Sequence, residues 1–297
     1  MEIESASGHR YHKFGTGKVD LVIEMGLGSA LGEWWHVAEI LSNKYTVLLY
    51  ERLRSILPER TPENIAKELH ALLSNFDCAE KMVILAHSQG GLYAGQFARL
   101  YPHRVKGIVL LDPLSPFDDQ YKQLLTPEEQ KKSGFDKSGN LVIMRRLAKL
   151  HLGFVIQAVL KKTPPFYYYT GFSKDASDDI LKAMTKPELY DAAIEEYCLA
   201  HTERCVLPLR TKESFPQIPL VLVTHTSEYS IKEIMEFGQT TRVLAEKVEQ
   251  IWQELMQKYL AFSKVSKLIR ARDSGHYLHL SEPELINEAL DWVSAQM

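Results

Sequence analysis

The chain has 297 residues, 45% of them hydrophobic, which suits one large domain or one domain carrying an insertion. Its 35 basic and 38 acidic side chains leave a formal net charge of -3, so there is no basic excess for nucleic acid and no charge block long enough to form a tail. Cys78, Cys198 and Cys205 are too few and too scattered for a disulfide framework or a zinc site.

The residues up to Lys13 are polar and lack an apolar signal core. No apolar run approaches the ~20 residues that span a bilayer, so the cytoplasm is the expected location by default. His9–Phe14 reads as a short edge strand. Val19–Glu24 is a mainly apolar run, the pattern of a buried parallel strand. In Met25-Gly26-Leu27-Gly28-Ser29 the two glycines allow a sharp turn with exposed N–H groups. Residues 30–42 read as a helix carrying Trp34, Trp35 and Val37, and 45–50 as the next strand. Thr61-Pro62-Glu63-Asn64 starts a helix, with a capping Thr, Pro at the first position and an acid in the first turn. That helix is expected to reach residue 76. Residues 82–87 form a strand, 89–101 a helix, and Val105–Leu111 a further strand that ends at Asp112-Pro113.

The alternation then breaks. Residues 114–216 are predicted to be a helical cap, inserted between two parts of a core, 1–113 and 217–297. Thr126-Pro127-Glu128-Glu129 and Thr185-Lys186-Pro187-Glu188 look like helix starts inside it. The alternation returns with a strand at Leu220–Thr224, a long helix over 240–262, a strand over 266–271 and a last helix over 282–295. Strands alternating with helices imply the α/β class, a doubly wound and mostly parallel sheet.

The stretch Val83-Ile84-Leu85-Ala86-His87-Ser88-Gln89-Gly90-Gly91-Leu92 carries the chemistry. An apolar run stops at a Ser set between small residues, and a helical pattern begins at once, as in a nucleophile elbow. A Ser on so tight a turn needs small residues two before and two after it, here Ala86 and Gly90. Ser attacks poorly without a base to take its proton. His276, in Ser274-Gly275-His276, is the candidate because it follows a late strand and precedes the final helix. His279 reads as packed. A carboxylate should orient that His. Asp112 is favoured, one strand over from the elbow; Glu228, after the Leu220–Thr224 strand, is the alternative. The N–H groups of Gln89 and Leu27 are the candidate oxyanion donors. His87, Trp34, Phe166 and Tyr168 are the candidate substrate-pocket residues.

These motifs, in this order, resemble the α/β-hydrolase superfamily of serine hydrolases, esterases and lipases among them. The resemblance covers nearly all of the chain outside the cap. Members with Leu-Asp-Pro after the elbow include lipases whose acid is that Asp, which favours Asp112. Many members carry the acid one strand later, which keeps Glu228 in play. The chain departs from the family at Met25, where a His is usual, and over residues 51–58, which lack the usual glycines. The resemblance implies a serine carboxylesterase acting on small to medium apolar esters through an acyl-enzyme, with no metal and no cofactor. Thioester, lactone, amide or carbon–carbon hydrolysis is the alternative, as is an idle ligand-binding protein on the same scaffold. The expected partner is a small apolar ester, with no nucleic acid and no membrane span. The oligomeric state is left open.

Overall fold

A computed structural model describes residues 1–55, 58–133 and 138–296. Eight strands form one sheet: β1 (Glu4–Ala6), β2 (His9–Phe14), β3 (Val19–Glu24), β4 (Val47–Tyr50), β5 (Cys78–His87), β6 (Val105–Leu111), β7 (Leu220–Thr224) and β8 (Ser266–Arg270). Their order is β1-β2-β4-β3-β5-β6-β7-β8. β1, β2 and β4 pair antiparallel, and every pairing from β4 to β8 is parallel. β1 was not anticipated. It forms a hairpin with β2 over Ser7 and Gly8, both at positive φ, the mirror-image turn that suits strand twist.

The helices are α1 (Leu31–Leu41), α2 (Pro62–Leu73), α3 (Gly90–Leu100), α4 (Gln120–Leu124), α5 (Pro127–Lys132), α6 (Ser138–Lys149), α7 (Gly153–Leu160), α8 (Lys174–Ala183), α9 (Pro187–Ala200), α10 (Glu203–Val206), α11 (Ser227–Gly238), α12 (Arg242–Leu260), α13 (Leu278–Ser281) and α14 (Glu284–Ala295). α2, α3 and α12 cover one face of the sheet, where Leu72, Phe97 and Leu255 meet Val22, Ile84 and Leu110. α1 and α14 cover the other, where Leu31, Val37 and Ile286 meet Ile23, Leu85 and Val109. Apolar cover on both faces explains why the inner strands read as mainly apolar runs.

The caps act as the sequence suggests. The Thr61 hydroxyl accepts from Asn64 N–H, and Thr126 with Glu129 forms a reciprocal capping box on α5. α11 was not anticipated, and it places Glu228 in a helical first turn rather than in a loop. The chain between β6 and β7 contains no strand among its described residues. α6, α7, α8 and α9 share a small core of their own, including Ala148, Ile156, Ile180 and Leu189.

From β3 the chain steps to β4 on one side and later to β5 on the other. The carboxyl ends of β3 and β5 therefore flank a topological switch point, where open α/β sheets hold their ligands. Met25 follows β3, and Ser88 follows β5.

Candidate active site

Ser88 sits at φ +53, a left-handed conformation that few non-glycine residues adopt. Its N–H donates to the Leu111 carbonyl over 3.0 Å, and its own carbonyl accepts from Gly91 N–H at 3.0 Å and Leu114 N–H at 2.9 Å. The elbow is thus tied to the end of β6. A Cβ on Gly90 would stand 2.5 Å from the Glu24 carbonyl oxygen and 2.7 Å from that of Met25. Both are backbone atoms and cannot swing aside. Gly90→Ala is expected to cost about 1–3 kcal/mol of stability by overpacking. Urea unfolding checks this against Gly139→Ala, where a Cβ meets nothing within 4 Å; an equally mild effect at both positions would refute the collision.

Asp112 ends the next strand over, also left-handed, at φ +43. Its N–H donates to the Val223 carbonyl over 2.8 Å. His276 lies in the loop between β8 and α13. Glu282 steadies that loop by accepting from the Arg272 and Asp273 N–H groups and from the Ser274 hydroxyl. His87 Nε2–H donates to the His276 carbonyl over 2.9 Å. Burial, then His279 and His276, holds the His87 imidazole well below its ordinary pKa, so it stays neutral, and this bond puts its one proton on Nε2.

The three side chains meet in a line. His276 Nε2 is 3.0 Å from Ser88 Oγ, and His276 Nδ1 is 2.7 Å from Asp112 Oδ2. Asp112 is buried, which by itself favours the neutral acid. His225 first, and then His276, outweigh that and keep its carboxyl ionised, below the usual carboxylate range. Such a line can draw a proton from the hydroxyl to the imidazole and hold the resulting imidazolium. Glu228 takes no part. It is exposed and pairs with Arg242 Nη1 and Nη2 at 3.1 and 2.7 Å.

The loop after β3 lies against the elbow. A Cβ on Gly26 would be 3.0 Å from His87 Nδ1 and 3.4 Å from Ser88 Cβ. Leu27 is half-buried beside it. Gln89 is buried, and its side-chain amide donates to the Tyr93 hydroxyl over 2.6 Å. The sequence pointed to none of what holds this loop. The Arg52 guanidinium donates to the Met25 carbonyl at 2.6 Å and the Gly26 carbonyl at 2.9 Å. It also pairs with Glu24 at 2.6 Å and with Glu196 of α9 at 3.0 Å. Burial works against its charge, but Glu196 and Glu24 keep it protonated. A segment without the usual glycines thus serves as a clamp. Residues 56 and 57 of that segment lie outside the described residues. Neither Arg52, two residues past the end of β4, nor Glu196 carried a local signal for this contact.

The expected pocket residues part ways. Trp34 is corrected: it is fully buried and stacks on His279 with ring centroids 4.1 Å apart, so it is core and not a pocket wall. His87 is buried beneath His276. Phe166 packs edge-on against Phe172 within the helical layer. Tyr168 stacks on Tyr277, next to His276, with ring centroids 5.1 Å apart. Among the described residues, no three or more His, Cys, Asp or Glu side chains are grouped to hold a metal ion, and no helix is long and apolar enough to cross a membrane.

The profile of the alpha/beta hydrolase family matches residues 26–289. The chain belongs to the alpha/beta hydrolase family. This family member is similar to the uncharacterized protein YqjL of Bacillus subtilis (strain 168), at 23% identity over 293 residues covering 97% of this chain and 88% of YqjL. It is also similar to the 1-acylglycerol-3-phosphate O-acyltransferase ABHD5 of Rattus norvegicus, at 30% identity over 106 residues, 33% of this chain and 30% of that protein. The solved structure of ALR0039 from Nostoc sp PCC 7120 matches with a TM-score of 0.70 and 18% identity, over 100% of this chain and 98% of that one. That likeness is one of fold.

Proposed function

We propose that this alpha/beta hydrolase is a serine hydrolase that cleaves carboxylic esters of small to medium apolar compounds. The observation that carries the reading is the unbroken line from Ser88 Oγ through His276 to Asp112, with Ser88 on a left-handed turn. In this reading His276 Nε2 takes the Ser88 proton as Oγ bonds to the acyl carbon. The oxyanion that forms is met by the N–H groups of Leu27 and Gln89. The bond to the alcohol oxygen then breaks, and His276 returns its proton to the departing alcohol. Water repeats the sequence on the acyl-enzyme and releases the acid. A fluorophosphonate probe tests this directly, because it labels an activated Ser: Ser88 should be labelled in the native protein and spared after denaturation. An unlabelled Ser88 would favour an idle scaffold.

Residues 114–216 act as a lid in this reading. What supports it is their place beside the loop after β3: a Cβ on Gly28 would be 3.6 Å from Leu189 and 3.8 Å from Ala193, both on α9. Tyr168, stacked on Tyr277, the residue after His276, is the best pocket wall. Each further CH₂ buried there contributes up to about 0.8 kcal/mol. kcat/KM should therefore climb several-fold per methylene along a series of p-nitrophenyl esters, then fall when the space is full. Tyr168→Ala should flatten the climb and leave the shortest ester unaffected. A flat wild-type series, or one that Tyr168→Ala does not alter, would leave the segment as a cover only.

A further inference from the structure

Asp112 has two histidine partners, and only one faces Ser88. His276 Nδ1 meets Oδ2 at 2.7 Å. His225, the first residue after β7, meets Oδ1 twice, with its ring Nδ1 at 2.7 Å and its backbone N–H at 3.1 Å. The other ring nitrogen, Nε2, lies 2.9 Å from Glu249 Oε2 on α12. The ring also packs on Trp252, with centroids 4.0 Å apart. Asp112, His225 and Glu249 are all buried.

We propose that His225, held at its two ring nitrogens by Asp112 and Glu249, is a positioning residue that fixes the Asp112 carboxylate toward His276 and shares its charge. The proposal rests on the reading of Ser88, His276 and Asp112 as the hydrolytic residues. The mechanics follow from the contacts. A carboxylate can rotate; anchoring Oδ1 with two donors leaves Oδ2 aimed at His276. A carboxylate at each ring nitrogen calls for a proton on both, so His225 is an imidazolium. Burial lowers its pKa, but Asp112 and then Glu249 more than offset this and push it up to about 10. The groups facing it are Asp112 from the end of β6, Glu249 from α12, and, through Asp112, His276 from the loop after β8. Tyr121 of α4 feels Asp118, Glu249 and Asp112, and Gln253 donates to Glu249 Oε1 over 2.8 Å. The cation tempers what His276 feels of Asp112, and Glu249 returns the trio to a single negative charge.

The test uses the full chain with His225→Gln and Glu249→Gln. It reads the pH profile of kcat/KM on a short p-nitrophenyl ester and, in parallel, of the rate of fluorophosphonate labelling. Without the cation, two buried carboxylates face each other, so His225→Gln should move the acid limb up by about one pH unit. It should also lower the plateau kcat by about 10²-fold through misplacement, with little change in KM. Glu249→Gln removes an anion from the far side and should move the limb the other way. Unmoved limbs, with or without a loss of rate, reduce His225 to a structural part and overturn the proposal. If His225→Gln does not fold, the nitrogen-15 spectrum of wild-type histidines decides. An imidazolium persisting at about pH 8, where free imidazole is neutral, supports the proposal; a neutral His225 in the wild type overturns it. Failure of the underlying reading looks different: wild-type Ser88 is then not labelled at any pH, and the positioning role falls with it.

Discussion

Ser88→Ala is expected to remove ester hydrolysis, with a fall of about 10⁶-fold in kcat, the size seen when a serine nucleophile is deleted from a working triad. The hydroxyl oxygen is the attacking atom in the proposed mechanism, and its bond to His276 is the one side-chain hydrogen bond Ser88 makes among the described residues. The fold should survive. The backbone bonds from Ser88 to Leu111, Gly91 and Leu114 do not involve the side chain, and Ala fits the same turn. Its left-handed φ already strains Ser88, so the swap adds little. The measurement is initial rate on a p-nitrophenyl ester beside a thermal melt. A variant that keeps most of the wild-type rate removes Ser88 from the mechanism. A variant that loses rate together with its melting transition says nothing of chemistry, and the Ser88→Thr variant then separates the two, since it keeps a hydroxyl on a more crowded turn.

Asp112→Asn carries the second largest expectation, a loss of about 10⁴-fold in kcat by analogy with the triad template. Asn tolerates a left-handed backbone at least as well as Asp does, so φ +43 is no obstacle. What changes is the hydrogen-bond inventory. Asp112 accepts from His276 at one oxygen and from His225 at the other. An amide has one acceptor and one donor. One of the two histidines must then turn its ring or change its tautomer, and the imidazolium formed during catalysis loses its counter-charge. Glu228→Gln should change kcat by less than about twofold, because that carboxylate is exposed and paired with Arg242, where an ion pair contributes about 1 kcal/mol or less. The opposite ranking would move the acid to α11 and undo the assignment of Asp112.

The parts of this protein that depend on neighbours in sequence were readable from the sequence. Mainly apolar runs marked β3, β5, β6 and β7, because a strand covered on both faces has little polar side to show. Thr61-Pro62 and Thr126-Pro127 marked helix starts, because capping is settled within one turn. Ser88 between Ala86 and Gly90 marked a tight turn, because crowding there is local. α11 escaped notice because Ser227 to Gly238 reads as a mixed charged and apolar stretch, with no cap signal strong enough to separate it from the strand before it. The partners across the sheet were a matter for the tertiary structure. It brought Asp112 rather than Glu228 to His276, since the end of β6 lies beside β5 while Glu228 turns outward at the start of α11. It sank Trp34 under His279, and it set Arg52 beneath the loop after β3. His225 and Glu249 stand 24 residues apart along the chain, in a strand end and the second turn of a long helix. A buried charge is stable only where its counter-charge also arrives, and in this chain that arrival is decided by packing between β7 and α12.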